Sequence, residues 1–170
     1  MHKYLSVITL IALLFVGLSG CTGNSSTQQL ETPVLQLSAE GPLYAGANSS
    51  TATWEFDLTE ILGNAEKEVS EARITSVEVL LIGADSLPAM EKMVFEVTSK
   101  NTPMTRIGLY EGKITPGQSF NLTIADEQED LAGAFADGKM TFVGDFDLLD
   151  EEYMGNVEFT LKVKFDLGIK

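Results

Sequence analysis

The chain has 170 residues, 44% of them hydrophobic and 21% charged, with 11 basic against 25 acidic side chains and a formal net charge of −14. That is the size and balance of one globular domain with an appendage. The single cysteine, Cys21, excludes an intrachain disulfide; the single histidine, His2, excludes a multi-histidine metal centre; and the acidic balance argues against the basic patch that nucleic-acid binding requires.

Residues 1–20 read as a targeting segment. Lys3 supplies a positive start, and residues 5–16 form an apolar run of signal-peptide length, too short to span a bilayer comfortably. Leu18-Ser19-Gly20-Cys21 follows. This order resembles the lipobox of bacterial lipoproteins, in which small residues precede a cysteine that becomes the diacylglyceryl-modified N-terminus after cleavage. The resemblance is confined to the signal region and implies lipidation at Cys21, with the acyl chains as a membrane anchor. Removing residues 1–20 takes away His2 and Lys3 and leaves 150 residues of net charge −15, with no histidine and no free thiol. On that reading Cys-His and Ser-His-Asp catalysis, histidine-bound zinc or copper and thiol redox chemistry are excluded. The same acidity argues against electrostatic docking on anionic lipid, so the acyl chains alone hold the protein.

Residues 21–33 are small and polar and read as a flexible tether, about twelve residues with an r.m.s. reach of about 19 Å. Thr22 stands where an aspartate would resemble the inner-membrane retention signal of lipoproteins, and the tether lacks the acidic cluster that resembles a surface-export signal. The resemblance therefore implies the outer membrane, on its periplasmic face.

From residue 34 to 170 the pattern is period two, which places alternate side chains on opposite faces of a sheet. A first strand is expected over 34–38. Ala52, Trp54, Phe56 and Leu58 make the buried face of another. Residues 59–72 read as a helical turn or long loop, because Gly63 and Asn64 interrupt Ile61, Leu62, Ala65 and Val69. The stretches 73–82 and 92–98 are rich in Val, Ile, Leu and Phe and read as strands buried on both faces. A short strand over 105–110 precedes the Thr115-Pro116-Gly117 turn, after which Phe120, Leu122 and Ile124 alternate with polar residues. Asp126 and Glu129 have capping-box spacing before Leu131, Ala134 and Phe135, so a short helix is expected there, closed by Gly138. Met140, Phe142, Phe146 and Leu148 then alternate, and Val157, Phe159, Leu161, Val163, Phe165, Leu167 and Ile169 do so without interruption. About eight strands with no repeat and no βαβ rhythm predict an all-β fold, a single antiparallel β-sandwich with one short connecting helix; a closed barrel around a ligand is the alternative.

Two acidic clusters are the obvious chemical candidates. Residues 126–130 suit a helix N-terminus. Asp145, Asp147, Asp150 and Glu151, followed by Glu152, offer carboxylates for calcium, although their spacing is not that of an EF-hand and a solvated strand end is the favoured explanation. Two carboxylates also serve glycoside hydrolysis, but that needs aromatic platforms in a cleft, and Trp54 shares a strand face with Ala52 and Phe56 as a core residue does. No catalytic set can be named, so no enzyme and no cofactor other than calcium is expected. Met90, Met93 and Met104 cluster in sequence and suit either core gap-filling or a shallow apolar groove. The sequons at Asn24, Asn48 and Asn121 carry no weight in a bacterial lipoprotein. The reading that results is a lipid-anchored, non-enzymatic envelope module that binds a protein partner and no nucleic acid. Its rivals are a carrier or sensor of a small apolar ligand and a calcium-dependent surface module. Large inward side chains, notably Phe120, Phe142, Phe146, Phe159 and Phe165, predict a filled core.

Overall fold

The structure, a computed structural model, describes residues 26–83 and 87–170, apart from the side chains of Asp150 and Glu151. Cys21 and the whole targeting segment lie outside the described residues. Among those described, the elements in order are β1 (Ser26–Glu31), β2 (Leu35–Ala39), β3 (Leu43–Glu55), α1 (Leu58–Leu62), β4 (Val69–Ile82), β5 (Met90–Thr98), β6 (Thr105–Ile114), β7 (Ser119–Asn121), β8 (Thr123–Ile124), α2 (Ala132–Ala136), β9 (Lys139–Tyr153) and β10 (Val157–Ile169).

β10 shows why the sequence folds this way. Its seven odd-numbered side chains from Val157 to Ile169 are buried, and the intervening ones face outward or sit at the rim. Both of its edges are occupied: β4 pairs along one, and β1 and β2 follow each other along the other, all antiparallel. The hydrogen-bonded path runs β7-β4-β10-β2-β3-β9-β5-β6-β8, with β1 alongside β10. The path bends at two places. Between β2 and β3 the ladder is reduced to Ser38 opposite Thr51. Residues 119–124 leave β4 as β7 and join β6 as β8, so one short segment switches sheets. The two halves therefore close face to face as a β-sandwich. Contacts between the inner faces include Phe146 on Phe159 at 5.3 Å, Trp54 on Phe165 at 6.2 Å and Tyr110 on Phe120 at 4.3 Å, measured between ring centroids.

Two departures from strict alternation explain why 73–82 and 92–98 resemble strands buried on both faces. Each buries one face only. In β4 the register shifts so that Lys164 opposes Ser76 and Phe165 opposes Ile74, leaving Thr75 as the extra residue of a bulge. Ile74 and Val77 thus both point inward three residues apart. In β5 Lys92 adopts φ 53°, the register shifts between Glu91 and Met93, and Met90 and Met93 both enter the core.

The helical regions differ from expectation at their boundaries. α1 begins at Leu58, so Leu58 belongs to a helix rather than to the Trp54 strand; Asp57 caps it by accepting from Thr59 N at 2.7 Å, and Gly63 closes it at φ 66°. α2 starts only at Ala132, and Asp126 and Glu129 form no capping box there. The preceding loop lies along the free edge of β4 instead. Gln128 exchanges two hydrogen bonds with the backbone of Ile74, and Asp130 Oδ1 accepts from both Ala72 N and Ala132 N. The acidic run 126–130 is thereby tied to a sheet edge, because unpaired strand amides at 72 and 74 need acceptors. Gly138 does close α2, as its sequence position implies.

The domain begins earlier than residue 34. Six residues of the segment expected to be a flexible tether form β1, registered from Ser26 opposite Ile169 to Glu31 opposite Lys164. Composition is a poor guide here: one edge of β10 is vacant beyond β2, and its backbone groups recruit a polar segment that buries little of its own. Thr32 bridges the gap between β1 and β2. Its N–H donates to Val163 O at 2.9 Å, and its Oγ1 accepts from Val163 N at 3.1 Å, with Thr32 only 4% exposed. Thr32→Val removes that acceptor and strands a buried amide, so a loss of about 1–3 kcal/mol in urea denaturation is expected, largely recovered by Thr32→Ser.

Candidate functional site

The residues singled out as chemical candidates do not converge. Asp145 and Asp147 stand two apart on the outward face of β9, about 7 Å along an extended strand. Asp145 is opposite Ser49, whose hydroxyl donates to its carboxylate, and Asp147 is opposite Ala47 on one side and Glu91 on the other. The side chains of Asp150 and Glu151, further along β9, lie outside what is described. Among the described residues no three acidic, histidine or cysteine side chains are grouped to hold a metal ion.

The methionines separate. Met90 and Met93 are fully buried, whereas Met104 is 57% exposed beyond the opposite end of β5, so no groove joins the three. Met93 fills space that Gly144 leaves on the neighbouring strand: a Cβ at Gly144 would lie 3.5 Å from Met93 Cε and 3.3 Å from Leu37. Core filling is the role of both buried thioethers, and charge at either position would melt the domain. Trp54 is likewise core, 4.2 Å from Phe56 and edge-on to Phe135 at 6.3 Å between ring centroids. Depressions of about 410 Å³ over Val34, Leu80 and Lys162 and about 430 Å³ beside Leu58 and Lys67 open to solvent outside the sheets rather than between them.

A different set of residues gathers at one end of the sandwich. Strand directions place the β2–β3 turn, the β9–β10 turn, the β4–β5 connection and the β6–β7 turn together at one pole. The first two are locked: Gly41 N donates to Asn156 Oδ1 at 3.2 Å, and a Cβ on Gly41 would meet Gly155 O at 2.6 Å, so only glycine permits the approach. Four large apolar side chains are exposed at this pole: Tyr44 (57%), Ile82 (37%), Leu149 (54%) and Met154 (72%). Glu152 faces Tyr44 across the ladder, and Glu40 and Glu91 are exposed nearby. Sequence reasoning missed this set. Its one signal was apolar residues within turn-like stretches, where period-two alternation makes no use of them.

The opposite pole carries a polar latch. Asp137, just after α2, accepts from Ser99 Oγ at 2.6 Å and from the backbone and side-chain amides of Asn101. The Ser99 hydroxyl, then the Asn101 amide, hold its carboxyl below the usual aspartate range. Nearby, Lys139 bonds Glu55 at 2.7 Å across β3 and β9 and lowers that carboxyl likewise. The sign follows from proton binding. The unfolded chain takes up a proton at Asp137 before the folded one does, so the latch's contribution is complete above the ordinary aspartate pKa, near 3.9, and is lost as pH falls through the lower folded value. Asp137→Asn is therefore expected to lower the urea midpoint at neutral pH. The two proteins should converge in acid.

No protein-family model matches the chain, and no curated protein matches it in sequence. Among solved structures it is similar to the C-terminal family 22 carbohydrate binding module of Clostridium thermocellum Xyn10B, at 13% identity and TM-score 0.31, covering 88% of this chain and 89% of that one. It is also similar to a chain of the infectious bursal disease virus Gx strain, at 9% identity and TM-score 0.32, covering 86% of this chain and 43% of the viral one. Likenesses this distant carry no argument about activity or ligand.

Proposed function

We propose that this chain is a lipid-anchored, non-enzymatic module of the bacterial cell envelope that binds a protein partner through the loop pole of Tyr44, Leu149 and Met154. The observation that carries the reading is the gathering of exposed large apolar side chains at one end of a sandwich whose interior is otherwise filled. Exposed apolar groups clustered within a polar surround are characteristic of protein contact surfaces. Glu40 and Glu152 beside Tyr44 and Met154 favour a partner with an apolar recess flanked by lysine or arginine, whereas Glu91 is offset by Lys113 opposite it and by the adjacent Lys92. The lipobox ending at Cys21 supports the anchor and, by the sorting resemblance, an outer-membrane location on the periplasmic face. Binding of this kind needs no cofactor.

Cross-linking in intact envelopes tests the reading. The wild-type chain is expected to give a discrete adduct with another protein. The double variant Tyr44→Ser, Met154→Ser should lose most of that adduct without a change in melting temperature, while Met104→Ser, equally exposed at the other pole, should keep it. Retention of the adduct by the double variant would overturn the proposed surface.

A further inference from the structure

We infer that the anchored domain stands on the bilayer with a fixed pole toward it, the one bearing Ser26, α1 and Lys170, and with the loop pole directed away. The inference rests on the anchor reading above and adds the geometry that β1 imposes on it. Five residue steps separate Cys21 from Ser26. A chain gains at most about 3.3–3.6 Å per residue, so Ser26 lies within about 18 Å of the lipidated cysteine along any path.

Ser26 cannot drift from the domain, because β1 is paired with β10 over all six residues. Its outer end meets Ile169. There Glu68 and Lys170 exchange backbone hydrogen bonds at 3.0 and 3.1 Å, and Gln28 reaches the carbonyl of Ile61 at the end of α1. The thirteen residues of β10 then separate this pole from the other. At about 3.4 Å per residue that distance is about 40 Å, more than twice the leash.

Charge keeps the near pole from inserting. Its exposed ionisable groups include Asp57, Glu60, Glu66 and Glu68 against Lys67 and Lys170. Anionic headgroups repel that balance. The flank that β1 and β10 present carries charge, with Glu31 paired to Lys164 at 3.4 Å and to Lys162 at 3.9 Å, and Val34 is the one large apolar side chain exposed beside it among the described residues, so the domain gains little by lying down on that side. The membrane thus serves as a platform, and the short leash sets which end of the sandwich a partner reaches.

The test uses the full lipidated chain in vesicles of neutral and anionic phospholipid that carry a nitroxide on the headgroup. A single cysteine for a fluorophore is introduced at Lys67→Cys or at Gln118→Cys; both positions are exposed, at opposite poles. The probe at residue 67 is expected to lose most of its emission, and the probe at 118 to keep it. Inserting ten Gly/Ser residues between Cys21 and Ser26 should restore much of the emission at 67. Equal quenching at both positions, or none at either on protein that floats with the vesicles, would overturn the orientation while leaving the anchor intact. A chain that does not float with vesicles, or a Cys21→Ser chain that floats as well as wild type, overturns the anchor itself and this inference with it.

Discussion

Leu161→Asp is expected to unfold the domain, whereas Lys162→Asp, one residue along the same strand, should leave the melting temperature nearly unchanged. Leu161 is fully buried at the centre of β10, opposite Val79 on one side and Leu35 on the other. Its replacement forfeits about 1.5–3 kcal/mol of apolar burial. An unpaired carboxylate in the same place costs several kcal/mol more, or holds its proton at a comparable cost. Together these approach the 5–15 kcal/mol that stabilises an ordinary domain. Lys162 points outward with about half of its side chain exposed, and its ion pair with Glu31 is long at 3.9 Å. Exposed pairs of this kind contribute about 0–1 kcal/mol. Circular dichroism on heating separates the two outcomes, and equal melting temperatures would refute the register of β10, because a slip of one residue exchanges its faces.

Phe165→Ala is expected to cost about 3–5 kcal/mol, which for a domain of this size lowers Tm by about 6–20 °C. Phe165 meets Phe135 edge-on at 5.2 Å and stacks on Trp54 at 6.2 Å, so it joins β10 to β3 and to α2. Phe135 and Trp54 already rest edge-on against each other at 6.3 Å, which limits how far either can move into the space it leaves. A loss below about 1 kcal/mol in urea denaturation would mean that the cluster collapses to fill the gap, contrary to a tightly packed interior. Phe56, half-buried at the rim of the same cluster, should be less costly to truncate.

The reach of sequence reasoning follows from what alternation encodes. From Val157 to Ile169 apolar residues recur at every second position, and burial follows the same parity in the folded chain; from Met140 to Leu148 the pattern is the same except at Val143 and Gly144, which are also buried. No other regular structure satisfies that period, so the strand identity of these stretches and the inward set of β10 were legible in the sequence. The bulges at Thr75 and Lys92 were not. Each inserts one residue, and the resulting spacing of three looks locally like a strand that is apolar on both sides. The helix expected from Asp126 starts later because Gln128 and Asp130 are tied to the backbone of Ile74 and Ala72 at the edge of β4, a long-range contact that a capping pattern in sequence cannot register.

The candidate site shows the same division. The resemblance of Leu18-Ser19-Gly20-Cys21 to a lipobox, on which the proposed anchor rests, is carried by four consecutive residues and is therefore visible in sequence. Tyr44 and Met154 are 110 positions apart, and only the pairing of Leu43 with Tyr153 and the lock between Gly41 and Asn156 bring them to one pole. The composition of residues 26–31 by itself indicated a tether. The vacant edge of β10 turned them into β1, because backbone hydrogen bonds are satisfied by pairing whatever the side chains are. The sequence by itself therefore determined the inward face of β10 and that the fold is antiparallel β. Tertiary structure decided which strands are neighbours, where the domain begins and which exposed residues share a surface, because those depend on hydrogen-bond partners far apart in the chain and not on the local period of the side chains.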